Sequence, residues 1–281
     1  MNYRHSYHAG NFADVLKHII LARVILYLKQ KPQPFRVIDT HAGAGRYDLT
    51  GLEAGKTGEW HDGIGRLVGA ELPTDAATLI APYLDAVHSL NADGQLTLYP
   101  GSPLIARHLM RDGDTLVANE LHAEDATLLA AELKRAVSSK VMTLDAWIAI
   151  KALLPPPERR GIILIDPPFE KPDEFDRITE ALTNGLQRFA NGVYIIWYPL
   201  KDAAAANRMV EDVAALGCSK HLDVRLKIAA PFAGLGLTET GVLVLNPPYR
   251  LRAELQLILP ALVACLAQDR FADFHLREPS T

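Results

Sequence analysis

Phe35-Arg36-Val37-Ile38-Asp39-Thr40-His41-Ala42-Gly43-Ala44-Gly45 reads as a short β-rich run that ends in an acid and empties into a glycine turn. A strand delivering a tight glycine loop is how nucleotide-binding α/β folds begin, although Gly-x-Gly alone is shared with many ordinary turns. Toward the N-terminus, Asn11-Phe12-Ala13-Asp14 has the form of a capping box. Val15, Leu16, Ile19, Ile20 and Val24 then recur at helical spacing up to a break at 29–34, so a helix precedes the strand. Toward the C-terminus, strands are predicted at 115–119, 140–144, 161–165, 192–197, 224–228 and 241–245. Helices are predicted between them at 102–111, 123–137, 146–153, 172–189 and 203–216. That alternation predicts a Rossmann-like α/β fold, a mostly parallel sheet with helices on both faces, binding its ligand beyond the carboxyl ends of the strands.

One interval breaks the alternation, because about seventy residues separate Gly45 from the next strand, far more than a crossover needs. Residues 47–94, with a helical pattern at 76–91, are therefore expected to form an inserted helical subdomain. The main domain is then 1–46 and 95–281, and Ser102-Pro103 restarts the crossover helix as N-cap and first position.

The chain has 281 residues, 49% apolar and 22% charged, enough for one large core. Its N-terminal apolar stretch, 19–28, is about half of the ~20 residues a bilayer span needs and contains Arg23. Residues 1–8 lack the basic-then-apolar order of a secretory signal. No membrane anchor and a cytoplasmic location are expected. Cys218 and Cys265 lie far from any Cys-x-x-Cys spacing and read as core thiols. A net charge of −4 argues against a nucleic-acid partner, but Arg4, Lys17, Arg23, Lys29, Lys31 and Arg36 against Asp14 alone give residues 1–36 a charge of +5 and the remainder −9. Such a segment is either a phosphate-facing surface or a solvated helix face.

The sharpest chemical signal is Ile162-Ile163-Leu164-Ile165-Asp166-Pro167-Pro168-Phe169. An aromatic amine is a weak nucleophile because its lone pair is delocalised into the ring. An enzyme that alkylates it must turn that pair toward the donor. The Asp166 carboxylate and the Pro167 carbonyl can each accept one N–H of the amine, and the prolines fix the turn that aims them. Phe169 offers a ring for a flipped base, a contact of ~1–3 kcal/mol. A bare proline turn would need neither the acid nor the ring. Asn246-Pro247-Pro248-Tyr249 is a rival clamp after another apolar strand. Strand counting favours Asp166, on the fourth strand beside the nucleotide pocket, and leaves Asn246 as a turn closing an edge hairpin.

Glu120, ending one strand, can hold both ribose hydroxyls of an adenosine, and Asp145, following the next, can accept an adenine amino group. Taken singly, each is as readily a helix N-cap. His5-x-x-His8, His18 and His41 suggest a metal only superficially, since no Cys or acid at ligand spacing completes a site; no metal is expected. His41 reads as a pocket wall, and Lys17 and His18 sit on the first helix, where they can fold over the ligand or simply face solvent.

Tyr3-Arg4-His5-Ser6-Tyr7-His8-Ala9-Gly10-Asn11, residues 39–47, Tyr99-Pro100-Gly101-Ser102-Pro103-Leu104-Ile105-Ala106-Arg107 and Asp166-Pro167-Pro168-Phe169 together resemble the RlmJ (YhiR) family of bacterial 23S rRNA (adenine-N6)-methyltransferases over nearly the whole chain. The resemblance implies a Rossmann-like methyltransferase with a small helical insertion, using S-adenosylmethionine on free 23S ribosomal RNA. It implies that His18, His41, Ser102, Glu120 and Asp145 contact the cofactor, with Lys17, Gly43 and Ala146 beside them, that Asp166 is the catalytic acid, and that Tyr3, with Arg4, meets the RNA. Phe169 stands where the family often has tyrosine, and Ala146 where glycine is common. The expected activity is methylation of an adenine N6 amine by a monomer. The alternatives are DNA adenine methylation, a nicotinamide-dependent oxidoreductase, and an RNA-binding module without catalysis.

Overall fold

Strands buried on both faces need near-continuous apolar side chains, and the runs at 161–165, 193–199 and 239–245 supply them. A computed structural model of the chain describes residues 4–134, 136, 138–218, 220–231 and 236–278. Its strands are β1 (Arg36–Asp39), β2 (Arg46–Asp48), β3 (Leu98–Pro100), β4 (Thr115–Asn119), β5 (Ser139–Met142), β6 (Gly161–Ile165), β7 (Val193–Pro199), β8 (His221–Lys227), β9 (Glu239–Leu245) and β10 (Asp273–Arg277). Its helices are α1 (Phe12–Leu28), α2 (Leu52–Thr57), α3 (Ile64–Val68), α4 (Thr74–Ser89), α5 (Ser102–Leu109), α6 (Ala123–Leu133), α7 (Ala146–Leu153), α8 (Glu174–Arg188), α9 (Ala203–Ala215) and α10 (Leu251–Leu266), with 3-10 turns at His5–Tyr7 and Glu59–Asp62.

Eight strands form one sheet in the order β10-β8-β9-β7-β6-β1-β4-β5. β1 pairs in parallel with both β4 and β6, so the chain reverses its direction of winding beside β1 and opens a crevice beyond Asp39. β9 runs antiparallel between β7 and β8. Side chains alternate between two cores. Val37, Ile162, Leu164, Ile195 and Val244 point toward α1, α4, α5, α6 and α10. Ile38, Ile163, Ile165, Ile196 and Leu245 point toward α7, α8 and α9. This is the expected Rossmann-like architecture. Of the predicted helix at 123–137, Arg135 and Val137 lie outside the described residues.

Fourteen of the 17 residues of α1 are buried, so it is a core helix covered by α4 and α10, not a surface one. That takes three of the six cations of residues 1–36 away from a basic face and leaves Arg4, Lys29 and Lys31. Lys17 is 3% exposed, Arg23 is clamped by Glu254 at 2.9 Å through both Nε and Nη2, and Arg36 is paired with Glu158 at 2.9 Å. These charges are spent inside the fold. The capping box is also only half formed. Asn11 Oδ1 accepts from Ala13 N and Asp14 N at 3.0 Å, but Asp14 takes the Gly10 N–H, not that of Asn11. Gly101, not Ser102, is the N-cap of α5, because the Ser102 hydroxyl donates to buried Asp39 Oδ2 at 2.6 Å. Cys218 and Cys265 are partly exposed, not core thiols.

Residues 47–94 carry α2, α3 and α4, and the antiparallel pair β2–β3, with Tyr47 opposite Tyr99, closes their base. Ile80, Tyr83 and Val87 of α4 enter the core that α1 shares. The sequence reading did not foresee that pair, nor α10 and β10. Among the described residues, no helix is long and apolar enough to cross a membrane.

Candidate active site

Three clefts meet at Pro168, at the carboxyl end of β6. The first, of about 560 Å³, is lined by Lys17, His18, His41, Gly43, Ser102, Glu120 and Asp166 among others. The second, of about 510 Å³, takes in His41, Glu120, Asp145, Ala146, Trp147 and Arg177. The third, of about 750 Å³, is walled by Asp166, Phe169, Trp197, Lys201, Glu59 and Leu237. The candidate cofactor residues thus converge on the first two clefts, and the Asp-Pro-Pro-Phe turn separates them from the third. Pro167 is buried in that turn. Arg4 lines none of the three; it is ion-paired with Glu124 and with Glu53 at 3.6 Å. Tyr3 lies outside the described residues.

Glu120 is held by two backbone donors, Gly43 N at 2.8 Å and His122 N at 2.7 Å, which orient its carboxylate at the mouth of the glycine loop. Burial raises its pKa above the usual glutamate value. Gly43 has φ +62, and a Cβ there would fall 2.0 Å from Tyr47 Oη, so both conformation and space require glycine. Asp145 is indeed a helix N-cap, accepting from Trp147 N at 3.0 Å and Ile148 N at 3.4 Å. The Arg177 guanidinium lies 5.4 Å over the Trp147 ring and 3.8 Å from Asp145, closing one wall of the second cleft.

Lys17 joins the first and third clefts. Its ammonium donates to Asp14 Oδ1 at 2.7 Å and to Asp166 Oδ2, and Asp14 Oδ2 receives Gly10 N and pairs with His5 Nε2, both at 2.9 Å. Burial opposes charge on all three groups, but their mutual attraction outweighs it. Asp14 is held well below the usual carboxylate range, and Lys17 and His5 are raised above theirs. At His18 and His41 burial outweighs the nearby carboxylates and lowers the rings to about 3 and about 4, which keeps both neutral at pH 7. Asp39 lies beneath the site, its pKa pushed up by burial to about 7.

Phe169 sits at φ +51, a left-handed conformation that costs a non-glycine residue strain. Its ring is packed 4.8 Å from Phe175 and 5.6 Å from Trp197. The rival Asn246 stands elsewhere. Because β9 is antiparallel, its carboxyl end pairs with the amino end of β7, Tyr194 opposite Leu245, at the other end of the sheet. Asn246 Nδ2 donates to Ala190 O at 2.7 Å and Gly192 O at 2.8 Å, a structural clasp on an interior strand and not an edge hairpin. The sequence reading missed Trp197, whose position at the end of the strand beside β6 was a usable signal. It weighed His5 only as a metal ligand and gave Tyr47 no role, and long-range packing brings both to the site. Among the described residues, no group of three or more His, Cys, Asp or Glu is placed to hold a metal ion.

Strand order and site together define a class I methyltransferase, an enzyme that takes its methyl group from S-adenosylmethionine. The residues fit that group: the carboxylates of Glu120 and Asp145 line the first two clefts, and His18, a lining residue of the first, has a buried Nε2 with no hydrogen-bond partner. Residues 32–274 match the family described as ribosomal RNA large subunit methyltransferase D, RlmJ. The chain is 42% identical to ribosomal RNA large subunit methyltransferase J of Escherichia coli, with 92% of each chain covered. It is 41% identical to the Haemophilus influenzae protein of the same name, over 96% of this chain and 95% of that one. The crystal structure of protein LPL1258 from Legionella pneumophila, 33% identical, superposes with a TM-score of 0.89 over 97% of this chain and 99% of that one. The chain belongs to this family of ribosomal RNA large subunit methyltransferases.

Proposed function

We propose that the protein methylates the N6 amine of an adenine in 23S ribosomal RNA, acting as a monomer in the cytoplasm on free RNA or an early assembly intermediate, without a metal. The observation that carries the reading is the position of Asp166 and Phe169 between the clefts assigned to cofactor and to base. When bound, S-adenosylmethionine supplies an electrophilic methyl group on a sulfonium, which needs no Lewis acid. Glu120 is the acceptor for its ribose hydroxyls, Asp145 and Ala146 line the adenine end, and Lys17, His18, His41, Gly43 and Ser102 surround the remainder. Lys17 occupies Asp166 Oδ2, so the amine N–H is accepted at Oδ1, with the Pro167 carbonyl as second acceptor. Phe169, braced by Phe175 and Trp197, stacks the base. Positioning and electrostatics supply the rate, and no proton need leave the amine before attack. Tyr3 and Arg4 are read as RNA contacts, and 47–94 as a helical subdomain inserted between 1–46 and 95–281.

The test is transfer of labelled methyl from S-adenosylmethionine to protein-free 23S rRNA and to DNA of the same sequence. Label is expected in RNA as 6-methyladenine, lost with Asp166→Ala and kept with Asn246→Ala. Label in DNA alone, or none in either, overturns the assignment.

A further inference from the structure

The insertion carries one acid into the cleft assigned to the base. Of the described residues, three carboxylates line the third cleft: Asp14, Asp166 and Glu59. Asp14 is 2% exposed, and its oxygens are taken by Lys17, His5 and the Gly10 N–H. Asp166 is the acceptor for the amine. Glu59 opens the 3-10 turn Glu59–Asp62, between α2 and α3. It lines neither of the other two clefts, and its side chain is 33% exposed.

The position of Glu59 is fixed from two sides. Ile64 N, just beyond the turn, donates to Gly10 O at 2.8 Å, and a Cβ on Gly63 would fall 2.2 Å from that oxygen, so the turn is pressed against the backbone that leads into α1. The carboxylate itself lies 3.0 Å from His8 Nδ1 and receives Asn11 Nδ2 at 2.9 Å. Burial opposes its charge, but the bonds from His8 and Asn11 outweigh that and hold its pKa below the usual glutamate value, so at pH 7 it can only accept. Gly236 stands opposite. A Cβ there would come within 3.9 Å of Glu59 Oε1, and its absence leaves a gap beside the oxygen that Asn11 does not use.

An ionised acid facing RNA repels phosphate, so its place in this cleft calls for a donor on the substrate. An internal adenosine of RNA has donors at two places, the N6 amine and the ribose 2′-hydroxyl. With the amine held by Asp166 and the Pro167 carbonyl, the hydroxyl is what remains for Glu59. We propose that Glu59 accepts the 2′-hydroxyl of the extruded adenosine, so that the inserted segment, held by His8 and Asn11, selects ribose over deoxyribose at the methylated nucleotide. The role rests on the adenine-methyltransferase reading above. DNA offers the same amine and the same ring, but it leaves Glu59 an ionised acceptor with nothing to accept, beside a phosphodiester chain.

The experiment uses protein-free 23S rRNA in which the methylated adenosine, located by the label, is built in by splinted ligation as the ribo, 2′-deoxy or 2′-fluoro nucleotide. Fluorine removes the donor and keeps the ribose pucker. For the unmodified protein, kcat/KM is expected to fall about ten- to a hundredfold on both analogues, the size of a hydrogen bond to a charged group. Glu59→Ala is expected to treat the three RNAs alike, at a rate below that of the unmodified protein on native RNA. In Glu59→Gln, which keeps an acceptor without the charge, the discrimination is expected to shrink to a few-fold. A purely structural Glu59 would instead slow all three RNAs together and keep their ratio. Equal rates on the three RNAs with the unmodified protein, or discrimination undiminished in Glu59→Gln, overturns the role of Glu59 and leaves the methyltransferase standing. Absence of transfer to native RNA by the unmodified protein overturns the methyltransferase reading itself.

Discussion

Lys17 ties the first helix to the Asp-Pro-Pro-Phe turn through a single side chain. Its ammonium lies between Asp14 and Asp166, and is 3% exposed. Breaking a buried pair leaves a charge without compensation, so Asp14→Asn is expected to cost about 3 kcal/mol near neutral pH, read by urea denaturation. The pH dependence has a definite sign. Asp14 is depressed below its unfolded value of 3.8, so its contribution is complete above that value and dwindles as pH falls below it. The stability gap between Asp14→Asn and the unmodified protein is therefore fullest between about pH 4 and 6.5; it narrows below about pH 4, and narrows again above pH 6.5 as the raised His5 loses its proton and its attraction to Asp14. A gap that stays constant to pH 2 would show that Asp14 is not held down by its neighbours. None of this was legible locally. Asp14 looked like half of a capping box; its partner His5 comes from a 3-10 turn, and the second partner of Lys17, Asp166, from a strand end 149 residues further on.

At the scale of elements, the two Pro-Pro turns follow similar apolar strands and do different work because the strands point in opposite directions. Asn246, at φ +52, gives its side chain to two carbonyls. Asn246→Ala should lower stability by about 1–3 kcal/mol through the two lost bonds and the strained backbone. Asn246→Gly should recover the backbone part, as thermal melts of the two variants would show. Strand direction is what the sequence reading lacked. Apolar runs, helix periods and the glycine loop located most of the strands and the crevice, since those signals are local. The reversal of β9, the pairing of β2 with β3 and the docking of α10 are set by partners far along the chain. α10 did carry a helical period, at Leu251, Leu255, Ile258, Leu259 and Leu262, that could have been used. The acids were found where the strands end, because strand order fixes which ends share a crevice.

Over the whole molecule, Lys17 is buried and Arg23 and Arg36 are held in ion pairs, so phosphate must be met by cations elsewhere on the surface. Lys201 and Lys171 are exposed on the rims of the third and second clefts. Replacing either by alanine is expected to weaken rRNA binding and to lower the salt slope, log K against log salt, by about one. A slope unchanged by both would place the RNA on another face. The burial of α1 also bears on how the chain is made. Asp166 and Glu254, which neutralise Lys17 and Arg23, are synthesised 149 and 231 residues after them. At ~5–20 residues per second, an apolar helix with unpaired charges waits roughly ten to forty seconds for its partners. Through that interval it is a natural client for chaperones, and the first and third clefts lack the wall that α1 supplies until it docks.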